Sequence, residues 1–559
     1  MAMITRKGNL HLEIQTSAKN PVGLLRTSFH EDGKTKHTQH GRITGCTLPQ
    51  LKLLQHAFRE NVIPTDSPDA FQIIQSKEYG ASFALLEMIK KTGLDKAISS
   101  KPQPWVNSVL AMVIGRVIYA GSKLSLCHLQ ENTSLWELCG ITGKIDVEKH
   151  CYLPLDNLLA YQTRIQKKLA KKHLQDGQLV LYDITSSYLE GEYEQSSLVE
   201  FGYNREGKKG HEQIVIGLLC NKEGCPVGVE VFKGSTKDST TVVDKINEIR
   251  TVYGIQKIIF VGDRGMVTKH NLEILSAKKE LSKDLSTITA LTRADINHLL
   301  ENNVIQPELF DEHSIVEVTD PTDPQKRYCL CRNPTRAEKD LATREALLQK
   351  TKEKIEAIAA YKNSTTVEIL GARIGKVLAQ YNTGKYVTWN VIPDKEGEKS
   401  IVKSRNHKVI WAFNESVLER EKELMGCYII TSNVKPEDMT ALQIVASYKK
   451  LIMVEKAFRN LKTVQLEVRP IYHKRDDRIR AHVFLCMLAY YVQWHLQQCL
   501  VPLMNEGKGK NRRWTFSNVI ETLKQVTCNK VKIRGAELFK ISQPTSEQQK
   551  IMQLLGVSF

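Results

Sequence analysis

The spacing of apolar residues changes along the chain, and each change marks a different kind of secondary structure. Residues 22–44 alternate apolar and polar positions around Asp32-Gly33, which predicts a β-hairpin in an N-terminal unit of residues 1–50. From residue 51 to residue 175, apolar residues recur three and four positions apart, as in helices that bury one face. We therefore expect a helical domain after the hairpin.

Short apolar runs rich in β-branched residues come next, in the segment 176–295. Gly, Asn and Pro separate these runs, as expected of strands joined by turns. Three predicted strands are followed by a helix, a fourth strand, a second helix and a fifth strand, and this order indicates an α/β sheet covered by helices. The predicted strands are 178–183, 213–220, 226–232, 257–263 and 287–291.

The rest of the chain divides into an inserted domain, a return of helical spacing and a tail, which span residues 296–430, 431–500 and 501–559. The insertion combines a charged helix-like segment with two strand-like runs, at 385–392 and 407–413. Helical spacing then predicts one long helix from about Thr440 to Lys462. A capping box at Ser546 to Gln549 is predicted to open the last helix.

The balance of basic and acidic residues indicates which class of molecule the protein binds. Lys and Arg number 79 against 62 Asp and Glu, which gives a formal charge of +17 and indicates a polyanion partner. The N-terminus lacks the apolar stretch of a signal peptide, so we expect a cytoplasmic protein. The longest nearly uncharged apolar run, 483–494, is shorter than the roughly 20 residues of a membrane span, so we expect a buried helix there and no membrane partner.

The 12 cysteines form no CxxC pair. We expect reduced thiols and no zinc module from this spacing.

Two aspartates stand in the same kind of place. Asp183 and Asp263 each end a strand-like apolar run and are followed by polar or turn-forming residues. A single aspartate at the end of a strand is usually a turn or helix cap. Two carboxylates on neighbouring strands repel each other unless a cation lies between them, so the pair indicates a divalent metal site.

The predicted helix 440–462 supplies a third carboxylate. At about 100° per residue, Glu455 shares a narrow arc with Tyr448, Arg459 and Lys462, while apolar residues cover the opposite side. This arc is either a solvated polar stripe, in which a charge pair between Glu455 and Arg459 stabilises the helix, or one wall of a functional site. The helix alone favours the stripe, and the two aspartates favour the site.

Three stretches resemble the DDE transposases of bacterial insertion sequences that carry the Y-R-E-K signature. They are residues 181–188 around Asp183, residues 262–265 around Asp263, and the spacing Tyr448-x2-Leu451-x3-Glu455-x6-Lys462. Leu451 stands where the signature has Arg, so the phosphate contact of that Arg is not expected. Further similar stretches are 202–207, 233–238, 289–293, 469–473 and 477–482.

The resemblance implies an RNase H-like catalytic core with a β-rich insertion between Asp263 and Glu455. It implies that Asp183, Asp263 and Glu455 hold two Mg²⁺ ions, with Mn²⁺ as a substitute, since carboxylate oxygens suit hard divalent cations. The implied partners are the terminal inverted repeats of an insertion sequence and a target DNA. A homodimer is expected because two DNA ends must meet.

Several further residues are candidates for DNA contacts. The basic and tyrosine side chains near the triad are Arg264, Tyr448, Lys449, Arg459 and Lys462. Trp389 and Trp411 could stack on a flipped base, although an aromatic residue in a strand more often packs across the sheet. Residues 51–175 are either a packing platform or a domain that binds DNA ends.

Two other functions remain compatible with the sequence. One is an RNase H-like DNA nuclease that cuts without strand transfer. The other is a non-catalytic DNA-binding protein derived from a transposase, although three carboxylates that repel phosphate have no use in such a protein.

Overall fold

The structure is a computed structural model, and it brings the predicted segments together around one large sheet. Short stretches of the chain are left out of the description. The described residues are 10–16, 20–31, 33–60, 71–205, 207, 210–306, 315–360, 366–393, 407–464, 466–507, 513–533 and 536–558.

The N-terminal unit is a three-stranded antiparallel sheet in the order β1-β2-β3, followed by a helix. Its elements are β1 (Leu10–Gln15), β2 (Val22–Glu31), β3 (Lys34–Ile43) and α1 (Leu48–Glu60). The predicted hairpin is the β2–β3 pair, and Gly33 in its turn has a φ of 76°, which glycine adopts without strain. Asp32 lies outside the described residues.

The next segment is mainly helical. Its elements are β4 (Phe71–Glu78), α2 (Gly80–Thr92), α3 (Leu94–Ile98), α4 (Pro104–Tyr119), α5 (Lys123–His128), α6 (Leu135–Leu138), α7 (Leu153–Ala160) and α8 (Gln162–His173). β4 is a strand within the segment that the sequence predicts to be helical. It pairs with a strand near the C-terminus, so no local spacing could indicate its partner.

The central part of the large sheet comes from β5 (Leu179–Tyr188), β6 (Gln213–Asn221), β7 (Pro226–Lys233), β8 (Ile258–Val261) and β9 (Leu285–Ala290). Between them lie α9 (Asp238–Thr251), α10 (Lys269–Ala277) and α11 (Lys279–Ser282). The spatial order is β7-β6-β5-β8-β9, in which the first three strands are antiparallel and β8 and β9 run parallel to β5. This RNase H-like order confirms the predicted α/β fold class.

The segment after β9 contributes both to this sheet and to a separate small core. Its elements are α12 (Arg293–Glu301), β10 (Val316–Thr319), β11 (Arg327–Arg332), α13 (Pro334–Ala359), α14 (Val367–Tyr381), β12 (Val387–Pro393), β13 (His407–Phe413), α15 (Glu415–Glu423) and β14 (Cys427–Ser432). β14, β11 and β10 extend the sheet beyond β9 to eight strands. The hairpin β12–β13 packs instead against α13 and α14.

The chain closes with helices that return to the sheet. Its elements are α16 (Ala441–Lys449), α17 (Leu451–Arg459), α18 (Asp476–Cys499), α19 (Val501–Met504), α20 (Phe516–Lys524), β15 (Thr527–Ile533), β16 (Ala536–Ile541) and α21 (Ser546–Leu555). The capping box that opens α21 is formed by Thr545 and Gln548, one residue earlier than predicted.

The helix predicted from Thr440 to Lys462 is not continuous. α16 and α17 are separated at Lys450, and a π-helical turn, Asn460–Val464, follows α17. The amide of Met453 binds the carbonyl of Lys450, a tighter i to i+3 bond that interrupts the α-helical ladder.

Helix α18 joins the helical segment to the sheet. It is buried along nearly all of its length and packs against α2, α4, α7 and β7. A helix that is apolar on every side belongs in the interior of a large protein. Within the described part of the chain no single helix is long and apolar enough to cross a membrane; only the bent pair Pro104–Tyr119 with Lys123–Glu131 meets that length and composition.

Candidate active site

Asp183 and Asp263 lie side by side on neighbouring parallel strands. The last parallel pair between β5 and β8 is Leu181 with Val261, and each aspartate follows two residues later. The sequence predicts that Asp183 ends its strand, and this prediction is wrong. β5 continues along β6 to Tyr188, while β8 stops at Val261. The end of β8 therefore leaves Asp183 open on that side.

Backbone amides fix the direction of both carboxylates. Oδ1 of Asp183 accepts a hydrogen bond from the amide of Ile184 at 2.8 Å, and Oδ1 of Asp263 accepts one from the amide of Arg264 at 2.7 Å.

Helix α17 adds Glu455 to the same cleft. Leu451, Val454 and Phe458 are buried on its apolar side, and the helix packs on β5. This docking leaves Glu455 facing the two aspartates across a cleft of about 400 Å³. The cleft is lined by Asp183, Ile184, Thr185, Arg205, Asp238, Asp263, Glu455, Phe458, Arg459 and Lys462.

The three carboxylates make the cleft unfavourable for negative charge. Burial first, and then the charges of Asp263 and Glu455, raise the pKa of Asp183 to about 7, although the amide of Ile184 and the guanidinium of Arg205 act in the opposite direction. A protein that only needed a stable fold would gain nothing from this arrangement. A cation held between the carboxylates would remove the repulsion, and only oxygen ligands are offered by the triad.

Three of the predicted DNA-contact residues lie at or beside the cleft. Arg459 and Lys462 line it. Nζ of Lys462 donates a hydrogen bond to Oγ1 of Thr185 at 2.6 Å and another to the carbonyl of Ser186, so the π-helical turn ties α17 to β5. The hydroxyl of Tyr448 donates to Oδ1 of Asp263 at 3.3 Å. Burial, and next the charge of Asp263, raise the pKa of this tyrosine.

The other two predicted basic contacts point elsewhere. The side chain of Arg264 lines a separate cavity of about 670 Å³ between the sheet and the insertion, together with Arg293 and Arg344. Lys449 is exposed. Burial raises the pKa of the nearby Cys331 thiol, and the charge of Lys449 acts in the opposite direction.

The two predicted stacking tryptophans are not at the cleft. Trp389 and Trp411 face each other across the β12–β13 hairpin. Trp389 is 39% exposed and lies over α14 near Gly371, and Trp411 meets Phe413 edge-on at 5.3 Å. Their base-stacking role stays a prediction.

Sequence reasoning missed Arg205 and Asp238 as individual members of the cleft. The Arg205 guanidinium forms an ion pair with Asp238, and its backbone amide donates to Oγ of Ser186 at 3.1 Å. Both residues lie within stretches that resemble the transposases, 202–207 and 233–238, so the signal was present without an assigned role.

The loop that carries Arg205 is packed too closely for a side chain at Gly202. A Cβ at this position would lie 2.0 Å from the carbonyl oxygen of Gly234. That oxygen also accepts a hydrogen bond from the side-chain Nε2 of Gln213 at 2.8 Å. The loop conformation, and with it the place of Arg205, therefore depends on a glycine here.

Gly202→Ala is expected to lower the free energy of unfolding by about 1–3 kcal/mol, since backbone must move to admit the methyl group. Urea denaturation measures this effect. Gly375→Ala in α14, where nothing lies within 4 Å of the new Cβ, is the control and should be neutral or stabilising. Equal stability of both variants would contradict the packing argument.

If the cleft cuts DNA, as the resemblance to DDE transposases implies, Arg205→Met is expected to reduce the rate of cleavage about 10- to 100-fold, which corresponds to the loss of one charged hydrogen bond to a phosphate. A single-turnover assay measures this rate. Lys233→Met is a matched control, since Lys233 is an exposed partner of Glu200 outside the cleft and should leave the rate nearly unchanged. A wild-type rate for Arg205→Met would show that this side chain only braces Asp238.

A second group of metal-type ligands lies outside the cleft. His173, Cys225 and His495 place their ligand atoms within 4.8 Å of one another. These nitrogen and sulfur ligands differ from the oxygen ligands of the triad. The residues are far apart in the sequence, so a search for closely spaced cysteines could not find them.

A family model and solved structures match this chain. The model described as Transposase DDE domain matches residues 175–492, which include Asp183, Asp263 and Glu455. Among solved structures, the chain is similar to a piggyBac transposase in a synaptic complex with hairpin DNA, with 8% identity, a TM-score of 0.36, and coverage of 80% of this chain and 79% of that one. No curated protein matches the sequence.

Proposed function

The chain belongs to the family described as Transposase DDE domain, and we propose that it cuts DNA at the ends of an insertion sequence and joins the freed 3′-hydroxyl to target DNA. The observation that carries this proposal is the single cleft lined by Asp183, Asp263 and Glu455 together with the basic side chains of Arg459 and Lys462. Carboxylates suited to metal ions and cations suited to phosphates are the two requirements of phosphodiester chemistry.

The residues of the cleft fit hard divalent cations. Three carboxylates converge there, and burial, followed by the charges of Asp263 and Glu455, raises the pKa of Asp183, which a bound cation would reverse. Asp183, Asp263 and Glu455 would together hold two Mg²⁺ ions, with Mn²⁺ as a substitute. When bound, such ions activate the attacking oxygen and stabilise the leaving oxygen.

The chain's own side chains would position the DNA. Arg459 would bind the phosphate next to the scissile bond, and Arg205, held by Asp238, would approach it from the opposite wall of the cleft. Lys462 would keep α17 and β5 in register through its hydrogen bonds to Thr185 and Ser186. Tyr448 would hold the carboxylate of Asp263 in its ligand orientation.

The remaining proposals concern partners. The DNA substrates would be the terminal inverted repeats and a target duplex, bound by a homodimer that brings two ends together in the bacterial cytoplasm. The net charge of +17 supports a polyanion partner.

A strand-transfer assay separates transposase from nuclease. Wild-type protein is given Mg²⁺, a target plasmid and pre-cut inverted-repeat ends with a free 3′-hydroxyl. Joined products are the expected result, and cleavage of uncut ends without any joined product would favour the nuclease. A decayed, purely DNA-binding protein would bind the ends but neither cut nor join them.

A further inference from the structure

A second basic site lies where the helical segment meets the end of the core. We call it the basic cavity and define it by Arg116, Lys123, His473 and His482, with a volume of about 400 Å³. We propose that the basic cavity binds a phosphate group. Its lining includes Pro470, Tyr472, His473 and His482, which belong to the transposase-like stretches 469–473 and 477–482 and do not line the carboxylate cleft.

The basic side chains of this cavity are buried. Arg116 and Lys123 are each 7% exposed and His482 is 2% exposed. Nη1 of Arg116 donates to the carbonyl of Ala120 at 3.1 Å and to those of Leu466 and Glu467 at 3.4 Å. These contacts satisfy its hydrogen bonds but carry no full negative charge.

Lys123 has even less compensation for its charge. Its Nζ contacts Nδ1 of His482. Nε2 of the same imidazole lies 3.0 Å from the carbonyl of Val468, so Nε2 donates its proton there and Nδ1 is left to accept from the lysine. Burial, and next the charge of Arg116, lower the pKa of Lys123 to about 7. The protonated form of Lys123 is therefore unfavourable in this place, and a bound oxyanion would stabilise it.

The nearby acidic groups are engaged with other cations. Asp156 and Glu148 bind Arg478, and Asp477 binds Arg475. Glu467 lines the cavity but is exposed. Among the described residues, neither Arg116 nor Lys123 forms an ion pair or a hydrogen bond with a carboxylate.

The cavity is open and large enough for a phosphate with an attached sugar. Two exposed side chains line the cavity, Tyr472 (70% exposed) and Leu124 (50% exposed). The rings of Tyr152 and His473 meet edge-on, with 5.7 Å between their centres. The guanidinium of the neighbouring Arg469 stacks on Tyr188, at the end of the strand that carries Asp183, with 4.2 Å to the ring centre. A DNA backbone phosphate is therefore one source of the group, which rests on the proposed function, and free phosphate is the other.

Thermal denaturation of the full chain with inorganic phosphate tests the site without any DNA. Phosphate should raise the melting temperature of the wild type, and Lys123→Gln, which keeps a donor for His482 but removes the charge, should weaken the apparent phosphate affinity about tenfold or more. Lys435→Gln, at an exposed lysine elsewhere, is the control and should respond as the wild type does. A purely structural lysine would lower the melting temperature without changing the response to phosphate.

Tyr472→Glu provides an independent variant in case Lys123→Gln does not fold. It adds a negative charge at an exposed position and should also weaken the phosphate response. A wild-type phosphate response in Tyr472→Glu, and in Lys123→Gln if it folds, would overturn the proposal, as would no response in the wild type.

Fluorescence anisotropy then identifies the source of the phosphate. The probe is a duplex of the inverted repeat that flanks the coding sequence, in EDTA so that it is not cut. A lower DNA affinity in both cavity variants, but not in Lys435→Gln, would assign the site to the DNA backbone. Unchanged DNA affinity with a lost phosphate response would assign it to free phosphate. Neither result depends on strand transfer, so failure of the proposed function would be seen separately.

Discussion

Asp183→Asn is expected to reduce DNA cleavage about 10³-fold or more while raising the thermal stability of the metal-free protein. The loss of rate follows because Asp183 would be one of the three residues that hold the metal ions, and several kcal/mol of transition-state stabilisation correspond to this factor. The gain in stability follows because the substitution removes a charge that faces Asp263 and Glu455 in a partly buried place.

The sign of the stability effect follows from proton linkage. The folded pKa of Asp183, about 7, lies above the ordinary value of 3.8, so the folded state retains the proton to higher pH than the unfolded chain does. The carboxyl therefore destabilises the fold increasingly as pH rises from 3.8 to about 7, and fully above that. The difference in melting temperature between Asp183→Asn and wild type should grow across this range in EDTA and reach a few degrees.

A matched control is Asp244→Asn, at an exposed aspartate on α9 away from the cleft. It should change neither cleavage nor the pH dependence of melting. Cleavage at the wild-type rate by Asp183→Asn would sink the proposed role of the triad, and a lower melting temperature at neutral pH would show that the carboxylate is not under repulsion.

EDTA is expected to abolish cleavage completely, and Mg²⁺ or Mn²⁺ should restore it. In the proposed function the carboxylates of the cleft hold divalent cations, and those cations would supply the activation of water. In the same series, Mg²⁺ should raise the melting temperature of the wild type by binding the folded state, and this increase should be lost in the double variant Asp183→Asn, Asp263→Asn.

Zinc distinguishes the two groups of metal-type ligands. The double variant keeps His173, Cys225 and His495, so any stabilisation by zinc that survives in it comes from outside the cleft. Cleavage that persists in EDTA after exhaustive dialysis would contradict a metal-dependent mechanism for the cleft.

The sequence by itself determined the parts of this protein that depend on local spacing. Alternating and β-branched runs predicted the five strands of the central sheet, because a strand buried on both faces leaves a continuous apolar run. The same runs placed Asp183 and Asp263 at two strand segments, and the order of the sheet then makes these strands neighbours. The phase of a helix placed Glu455 on the side opposite its apolar residues, since 3.6 residues per turn fix which side chains share a face.

Only the tertiary structure decided what those elements meet. β14, β11 and β10 extend the sheet because the edge of β9 offers unpaired backbone groups, and β4 pairs with β15 for the same reason. Arg205 reaches Asp238, and Lys123 reaches His482, across long stretches of chain. Periodicity in a sequence records which face of an element is buried, but the partner on that face is fixed by packing between distant segments, which no local pattern contains.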